Sequence, residues 1–353
     1  MGYPRVVIEK NKIKQNVNAV LNLIGDRDIS LAAVTKGFCA NPQVAEVFVD
    51  AGVDYLADSR IENLRKLKDL KIKKMMLRLP MISEVDELVK YADISLNSEI
   101  ETIKALNKAS ERLGRVHEII LMVDLGDLRE GYYKEEDLLS AVKEILDLAF
   151  IKIKGLGVNL TCYGGVIPKA HILNRLLDLK NKVEEVYNIK LDIISGGNSS
   201  TVYLLNKDLP NEINNLRLGE AVILGRESAY QQNIEGTDQN PFTLEAEIIE
   251  VKEKPSVPTE EIGRDAFGQK PTFVDRGVRK RILCAVGKQD IDLETLFPVD
   301  KDLIILGGSS DHLIIDGSDS PKDYKVGDIL AFHMEYVSML RIMTSEYIEK
   351  HVI

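Results

Sequence analysis

Cysteine is scarce in this chain. Only Cys39, Cys162 and Cys284 occur among 353 residues. Their odd number and spacing exclude a disulfide framework or a cysteine metal centre, leaving small reduced thiols and no predicted metal site. No apolar run approaches the length of a membrane span. Basic runs are missing too, and a net charge of −10 argues against nucleic acid or an anionic membrane as partner. Internal repeats and low-complexity segments are lacking. The opening Met1-Gly2-Tyr3-Pro4-Arg5 has none of the pattern of a signal peptide. These absences predict a soluble, cytoplasmic protein.

What is present is alternation. After a short strand (Val6-Val7-Ile8), the residues Ile13, Val17, Val20, Leu21 and Ile24 form the stripe of an amphipathic helix. Strands are then expected at Leu31 to Thr35, Tyr55 to Ala57, Met75 to Leu79, Ile94 to Leu96, Ile119 to Val123, Ile153 to Leu160, Leu191 to Ile194 and Leu216 to Leu224. Helical stripes such as Ile61-Leu64-Leu67 and Leu138-Leu139-Val142-Ile145-Leu146 separate them. Eight strands alternating with helices predict a (β/α)8 barrel, with a doubly wound open sheet as the competing α/β arrangement. Beyond Gln231 to Pro241 the runs become short and turn-broken, as in Leu244 to Ile249, Arg281 to Val286, Leu303 to Leu306 and Ile329 to Phe332. That change predicts an all-β domain over 231–353, joined by the N-terminal strand of residues 1–10, after a barrel over 11–230. The stretch Lys252 to Thr272 reads as a loop.

Barrel chemistry gathers at the C-terminal strand ends, and those ends carry a coherent set. The first offers Lys36, followed by Gly37. An amine delivered to a sheet mouth beside glycine suits a Schiff-base lysine, which implies pyridoxal phosphate; a solvated surface lysine is the alternative. The fifth ends at Asp124 with Arg129 beyond, and the sixth carries Asn159, Thr161 and Tyr163. The seventh runs into Ser195-Gly196-Gly197-Asn198-Ser199-Ser200-Thr201, an anion cradle of backbone N–H groups and hydroxyls or else a capped glycine turn. The eighth presents Arg217, then Gly219 and Glu220. An arginine at a pyridine nitrogen weakens the ring as an electron sink and favours return of the α-proton over transamination; pairing with Asp124 is the structural alternative.

Taken in order, these segments resemble the alanine racemase family, the fold-type III pyridoxal phosphate enzymes, over nearly the whole chain. Val7-Ile8-Glu9 with Ile13 and Asn16 is similar to the family's start. Ala33-Val34-Thr35-Lys36 resembles the cofactor-lysine motif, and Glu62-Asn63-Leu64-Arg65 the helix after the second strand. Asp124-Leu125-Gly126-Asp127-Leu128-Arg129-Glu130-Gly131 resembles D-x-G-x-x-R-x-G. The match implies that Arg129 reaches the cofactor's phenolic oxygen or the substrate carboxylate. Asn198-Ser199, with Ser200, matches the phosphate-binding stretch, and Leu216-Arg217-Leu218-Gly219 the stretch at the pyridine nitrogen. Ser310-Asp311-His312-Leu313-Ile314-Ile315-Asp316 resembles M-D-Q-x-x-x-D. This implies that Ser310 and Asp311 reach substrate in a head-to-tail homodimer. Tyr347 falls where a final phosphate-binding tyrosine is expected.

The departures are informative. Where the family has G-Y-x-D-G with a catalytic tyrosine, this chain has Val286-Gly287-Lys288-Gln289-Asp290-Ile291, so Lys288 or Asp290 is expected as second base. The barrel histidine that packs on the cofactor corresponds to Asn159, and the tyrosine after the cofactor lysine to Ala40. With Thr35-Lys36-Gly37-Phe38-Cys39, these changes resemble the branch of the family that racemises ornithine by two-base transfer of the α-proton. Asp311, Asp290 and Glu220 are candidate acids for its cationic end. Racemisation of lysine, alanine or another amino acid is the alternative. Others are decarboxylation of a basic amino acid and a non-catalytic cofactor carrier.

Overall fold

The computed structural model describes residues 2–265 and 267–353; the parts of the N-terminal and loop expectations that fall on residues 1 and 266 lie outside them. The chain divides into two units, Lys10–Gln239 and the pair Met1–Glu9 with Asn240–Ile353. The division falls later than the change of pattern near Gln231. Residues 232–239 are tied back to the first unit: Ile234 N–H and Thr237 Oγ1 both donate to the Gly225 carbonyl, at 2.8 and 2.9 Å. Asn16 both donates to the Asp238 carbonyl (2.8 Å) and accepts from its N–H (2.7 Å).

A strand β1 (Arg5–Ile8) opens the chain. The first unit is then a closed parallel barrel of β2 (Ser30–Val34), β3 (Tyr55–Asp58), β4 (Lys73–Met76), β5 (Ile94–Asn97), β6 (His117–Val123), β7 (Ile151–Val158), β8 (Ile193–Ser195) and β9 (Asn215–Leu218). Closure excludes the open sheet. Side chains alternate across a strand, so Ala32 and Val34, Ile94 and Leu96, and Ile120 and Met122 share one face. They form a single buried cluster with Ala57, Met75 and Ile193. Arg217 is the register partner of Ala32.

Two expected strands run three or more residues past the observed ones. β4 ends at Met76, so Leu77 to Leu79 are not strand, and Glu220–Ile223 is a helical turn rather than a continuation of β9. Apolar composition alone did not distinguish that turn from a strand. Glycine makes one barrel contact possible: a Cβ on Gly155 would lie 1.7 Å from the Ile193 carbonyl oxygen.

The second unit is a sheet in the order β12 (Leu296–Pro298), β15 (Ile329–Met334), β10 (Phe242–Pro255), β11 (Val278–Cys284), β14 (Leu313–Asp316) and β13 (Ile304–Gly308). β1 pairs antiparallel with β10 and parallel with β16 (Glu349–Val352). β10 continues through Lys252–Pro255, which shortens the expected loop, because those residues find register partners from Arg281 back to Val278. One helix, Tyr336–Thr344, interrupts the β pattern. Among the described residues no helix is long and apolar enough to cross a membrane.

Candidate active site

Parallel strands place all their C-terminal ends on one rim, and Lys36 stands there. β2 ends at Val34; Thr35 is fully buried and fixed to the next strand by its N–H to the Ala57 carbonyl (2.8 Å). Its hydroxyl donates to Asp58 Oδ2 at 2.6 Å, while Asn63 Nδ2 and the Arg60 N–H donate to Asp58 Oδ1. Burial raises the Asp58 carboxyl, and the bonds from Thr35 and Asn63 oppose that shift. Lys36 then opens a short 3-10 turn whose Gly37 and Phe38 are buried while Lys36 itself is exposed. Anchored Thr35 before it and buried Gly37 and Phe38 after it hold the lysine at the rim.

Across the rim runs a chain of hydrogen bonds. Arg129 donates to both oxygens of Glu130, through Nε and, at 2.6 Å, through Nη2. Glu130 Oε1 also accepts from Asn159 Nδ2 at 2.5 Å. Asn159 Oδ1 accepts from Arg217 Nη2 at 3.0 Å, and that nitrogen also donates to the Val158 carbonyl at 2.7 Å. Arg217 Nη1 reaches Ser195 Oγ, which donates to Asn215 Oδ1. Arg217 is 2% exposed, and burial lowers it to about 10, with Glu130 the chief opposing charge; it stays protonated at neutrality. Burial alone would raise Glu130, but hydrogen bonds from Arg129 and Asn159 and the charges of Arg129 and Arg217 hold it below the usual carboxylate range. Arg217 does not pair with Asp124, whose Oδ1 accepts instead from the N–H groups of Gly126 and Leu128.

The loop after β8 behaves as a cradle. Asn198 Oδ1 accepts from the Ser200 N–H (2.8 Å), and its Nδ2 donates to the Leu160 carbonyl (2.9 Å). Ser199 Oγ accepts from the N–H groups of Gly219 (3.3 Å) and Ala221 (3.1 Å), which leaves its own proton to donate. Ser200 is fully buried, with its hydroxyl 3.5 Å from the Leu160 carbonyl that Asn198 also reaches. Asp127 orders the neighbouring loop by accepting from the N–H groups of Cys162, Tyr163 and Val166. Burial pushes the Cys162 thiol up, against the pull of the Arg129 and Lys36 charges, which sets that sulfur among the rim cations.

Lys36, Arg129, Asn159, Ser199, Arg217 and Gly219 thus meet at one barrel end. Ser200 and Glu220 also belong to the barrel unit, and Lys288, Asp290, Ser310, Asp311 and Tyr347 lie in the β unit. There Lys288 and Gln289 donate backbone N–H groups to the carbonyls of Ser309 and Ser310, joining two predicted segments. Gly287 makes the join possible, since a Cβ on it would lie 2.2 Å from the Ser310 carbonyl oxygen. Lys288 Nζ sits 4.4 Å from the Phe267 ring centroid and 3.9 Å from Asp265. Asp290 is buried and accepts from Ser345 Oγ at 2.6 Å. Tyr347 is 69% exposed and lines a cavity of about 280 Å³ with Asp290 and Ser345.

Glu130, Asp58 and Asp127 escaped the sequence reading. D-x-G-x-x-R-x-G leaves the Glu130 position unspecified, and only the fold carries its carboxylate to Asn159. Among the described residues no group of three or more His, Cys, Asp or Glu is arranged to hold a metal.

Residues 8–227 match the family model described as alanine racemase, N-terminal domain. The chain is 54% identical over 352 residues to an ornithine racemase of Acetoanaerobium sticklandii, covering 99% of this chain and 100% of that one. It is 44% identical over 353 residues to a lysine racemase of Thermotoga maritima, covering 99% and 98%. Among solved structures, the alanine racemase of a D-cycloserine-producing Streptomyces lavendulae superposes with a TM-score of 0.78 at 17% identity, covering 100% of this chain and 98% of that one. An alanine racemase from Bartonella henselae with covalently bound pyridoxal phosphate covers both chains fully, with a TM-score of 0.73 at 16% identity.

Proposed function

The chain belongs to the alanine racemase family, and we propose that it is a pyridoxal-phosphate-dependent racemase that interconverts L- and D-ornithine. The observation that carries this reading is full-length likeness to an ornithine racemase at 54% identity, on a barrel whose rim holds a matching constellation. The rim residues suit the cofactor. They offer an exposed amine on Lys36, a hydroxyl on Ser199 with a proton to give, and a buried guanidinium on Arg217 whose direct partners, Ser195, Val158 and Asn159, are all neutral. When bound, the cofactor withdraws electrons from the substrate's α-carbon and so acidifies its proton.

Lys36 would hold the cofactor, and its amine is placed to take or return the α-proton on one face. Ser199, Ser200 and the Gly219 turn would bind the phosphate. Arg217 donates to the pyridine nitrogen instead of accepting from it, which favours return of the proton over transamination. Arg129 would bind the phenolic oxygen or the substrate carboxylate, and Asn159 would help hold the ring. The second base on the opposite face is Lys288 or Asp290. Lys288 is the stronger candidate, because the Asp290 carboxylate is buried against Ser345.

A head-to-tail homodimer belongs to the same proposal, one subunit giving Ser310 and Asp311 to the other's substrate and Tyr347 to its phosphate. So does a cytoplasmic setting, which suits three cysteines that form no disulfide among the described residues. Asp311 and Glu220 are the acids proposed for the substrate's distal ammonium.

The test is incubation of the cofactor-loaded protein with L-ornithine, L-lysine and L-alanine in deuterated water, following chirality and α-deuterium. Racemisation with deuterium uptake, fastest for ornithine, is the expected result. Faster turnover of lysine or alanine would reassign the substrate. Carbon dioxide release, or retention of chirality without exchange, would overturn the racemase reading.

A further inference from the structure

Glu130 sits between two guanidinium groups, and no motif gives it a role. Three donors converge on its two oxygens: Arg129 Nε, Arg129 Nη2 and Asn159 Nδ2. An ionised carboxylate only accepts and a guanidinium only donates, whereas an amide has one end of each kind. Asn159 stands between the two, so a single orientation satisfies both neighbours: its NH2 toward Glu130 and its oxygen toward Arg217. Reversing the amide would set donor against donor at Arg217 and oxygen against oxygen at Glu130. Glu130 also supplies the chief opposing charge on Arg217, whose own contacts are neutral.

We propose that Glu130 is a positioning residue: it fixes Arg129 directly and Arg217 through Asn159, so that one carboxylate sets the direction of both guanidinium groups at the rim. The functional consequence rests on the racemase reading above. The side chain is 12% exposed, so water does not substitute readily for a lost partner. The arrangement also accounts for an asparagine at the position where the family's histidine is expected. An amide can pass the orientation set by a carboxylate on to a buried arginine.

The experiment compares E130Q, N159A and the double variant E130Q/N159D with the wild type, with thermal melting to verify folding. Three readouts are taken: kcat and KM for ornithine, affinity for pyridoxal phosphate, and the arginine side-chain 15N signals of the cofactor-free protein. In the wild type, Arg129 and Arg217 should give separate Nη signals, because their guanidinium groups are held. A carboxamide cannot accept three donors, so E130Q should merge those signals, weaken cofactor binding and lower kcat/KM about 10- to 100-fold, mainly through kcat. N159A cuts only the second link and should loosen Arg217 while leaving Arg129 held. The double variant moves the negative charge one link along the chain and restores complementary partners, so it should recover kcat/KM to within about tenfold of wild type.

Held arginine signals in E130Q would overturn the proposal whatever the activity, as would kcat/KM within about twofold of wild type. If E130Q fails to fold, N159A decides: an Arg217 still held there overturns the relay. A wild type that binds no cofactor and racemises nothing would sink the racemase reading alone, because the arginine signals still decide the positioning.

Discussion

A lysine amine at a barrel rim is useful only if the backbone beneath it does not move, and Thr35 supplies that footing. Its hydroxyl and N–H reach β3, and Asp58 beneath it is fixed in turn by Asn63. Lys36 is exposed and makes none of these bonds itself, so its loss should leave the fold intact. Lys36→Ala is therefore expected to melt like the wild type yet retain no cofactor after borohydride reduction, seen by intact mass. Racemisation should fall by about 10²- to 10⁴-fold, the usual contribution of a positioned proton carrier. Retained activity with retained cofactor absorbance would remove Lys36 from the mechanism.

Between elements, the tightest requirement is at β7 and β8. Gly155 pairs with Ile193, and one extra residue in β7, Lys154, shifts the register opposite Ile119 and Ile120. The shift brings the Ile193 carbonyl against the place of a Cβ, so a side chain there must push two barrel strands apart. Gly155→Ala should lower the stability of the barrel by at least about 3 kcal/mol in denaturant unfolding. Asn159 directly follows β7 and Ser195 is the last residue of β8, so cofactor affinity should fall in parallel. An alanine variant with unchanged midpoint would show that the barrel adjusts at no cost.

For the whole molecule, acid stability turns on a histidine outside the site. His117 is fully buried in β6 with Nε2 on Ser95 Oγ at 2.8 Å, and no hydrogen-bond partner on Nδ1 among the described residues. Burial, with a smaller push from Arg115, lowers its pKa from 6.5 to about 3. Between those values the unfolded chain binds a proton that the folded chain refuses. Stability should therefore fall as pH drops through that window, by up to about 1.4 kcal/mol per pH unit from this group, with no contribution above it. His117→Asn should flatten that part of a stability-against-pH curve, and an unchanged slope would assign it to other groups. At the same scale, the proposed homodimer predicts that specific activity falls on dilution in step with dissociation seen by sedimentation. Full activity in a demonstrated monomer would exclude shared sites.

The sequence by itself determined the alternation of strands and helices, the change to a β domain, and the rim positions of Lys36, Arg129, Asn159, Ser199 and Arg217. The reason is physical: strand period, helix stripe and turn chemistry are local, and a parallel barrel puts every strand end on one side. Local pattern failed where short apolar runs are ambiguous, so Glu220–Ile223 read as strand and Lys252–Pro255 as loop. Only the tertiary structure decided which groups face one another. It separated Arg217 from Asp124 and brought Glu130 to Asn159 across 29 residues of sequence. Those outcomes depend on where folded backbone carries a side chain, and on which donors and acceptors remain once the barrel has closed.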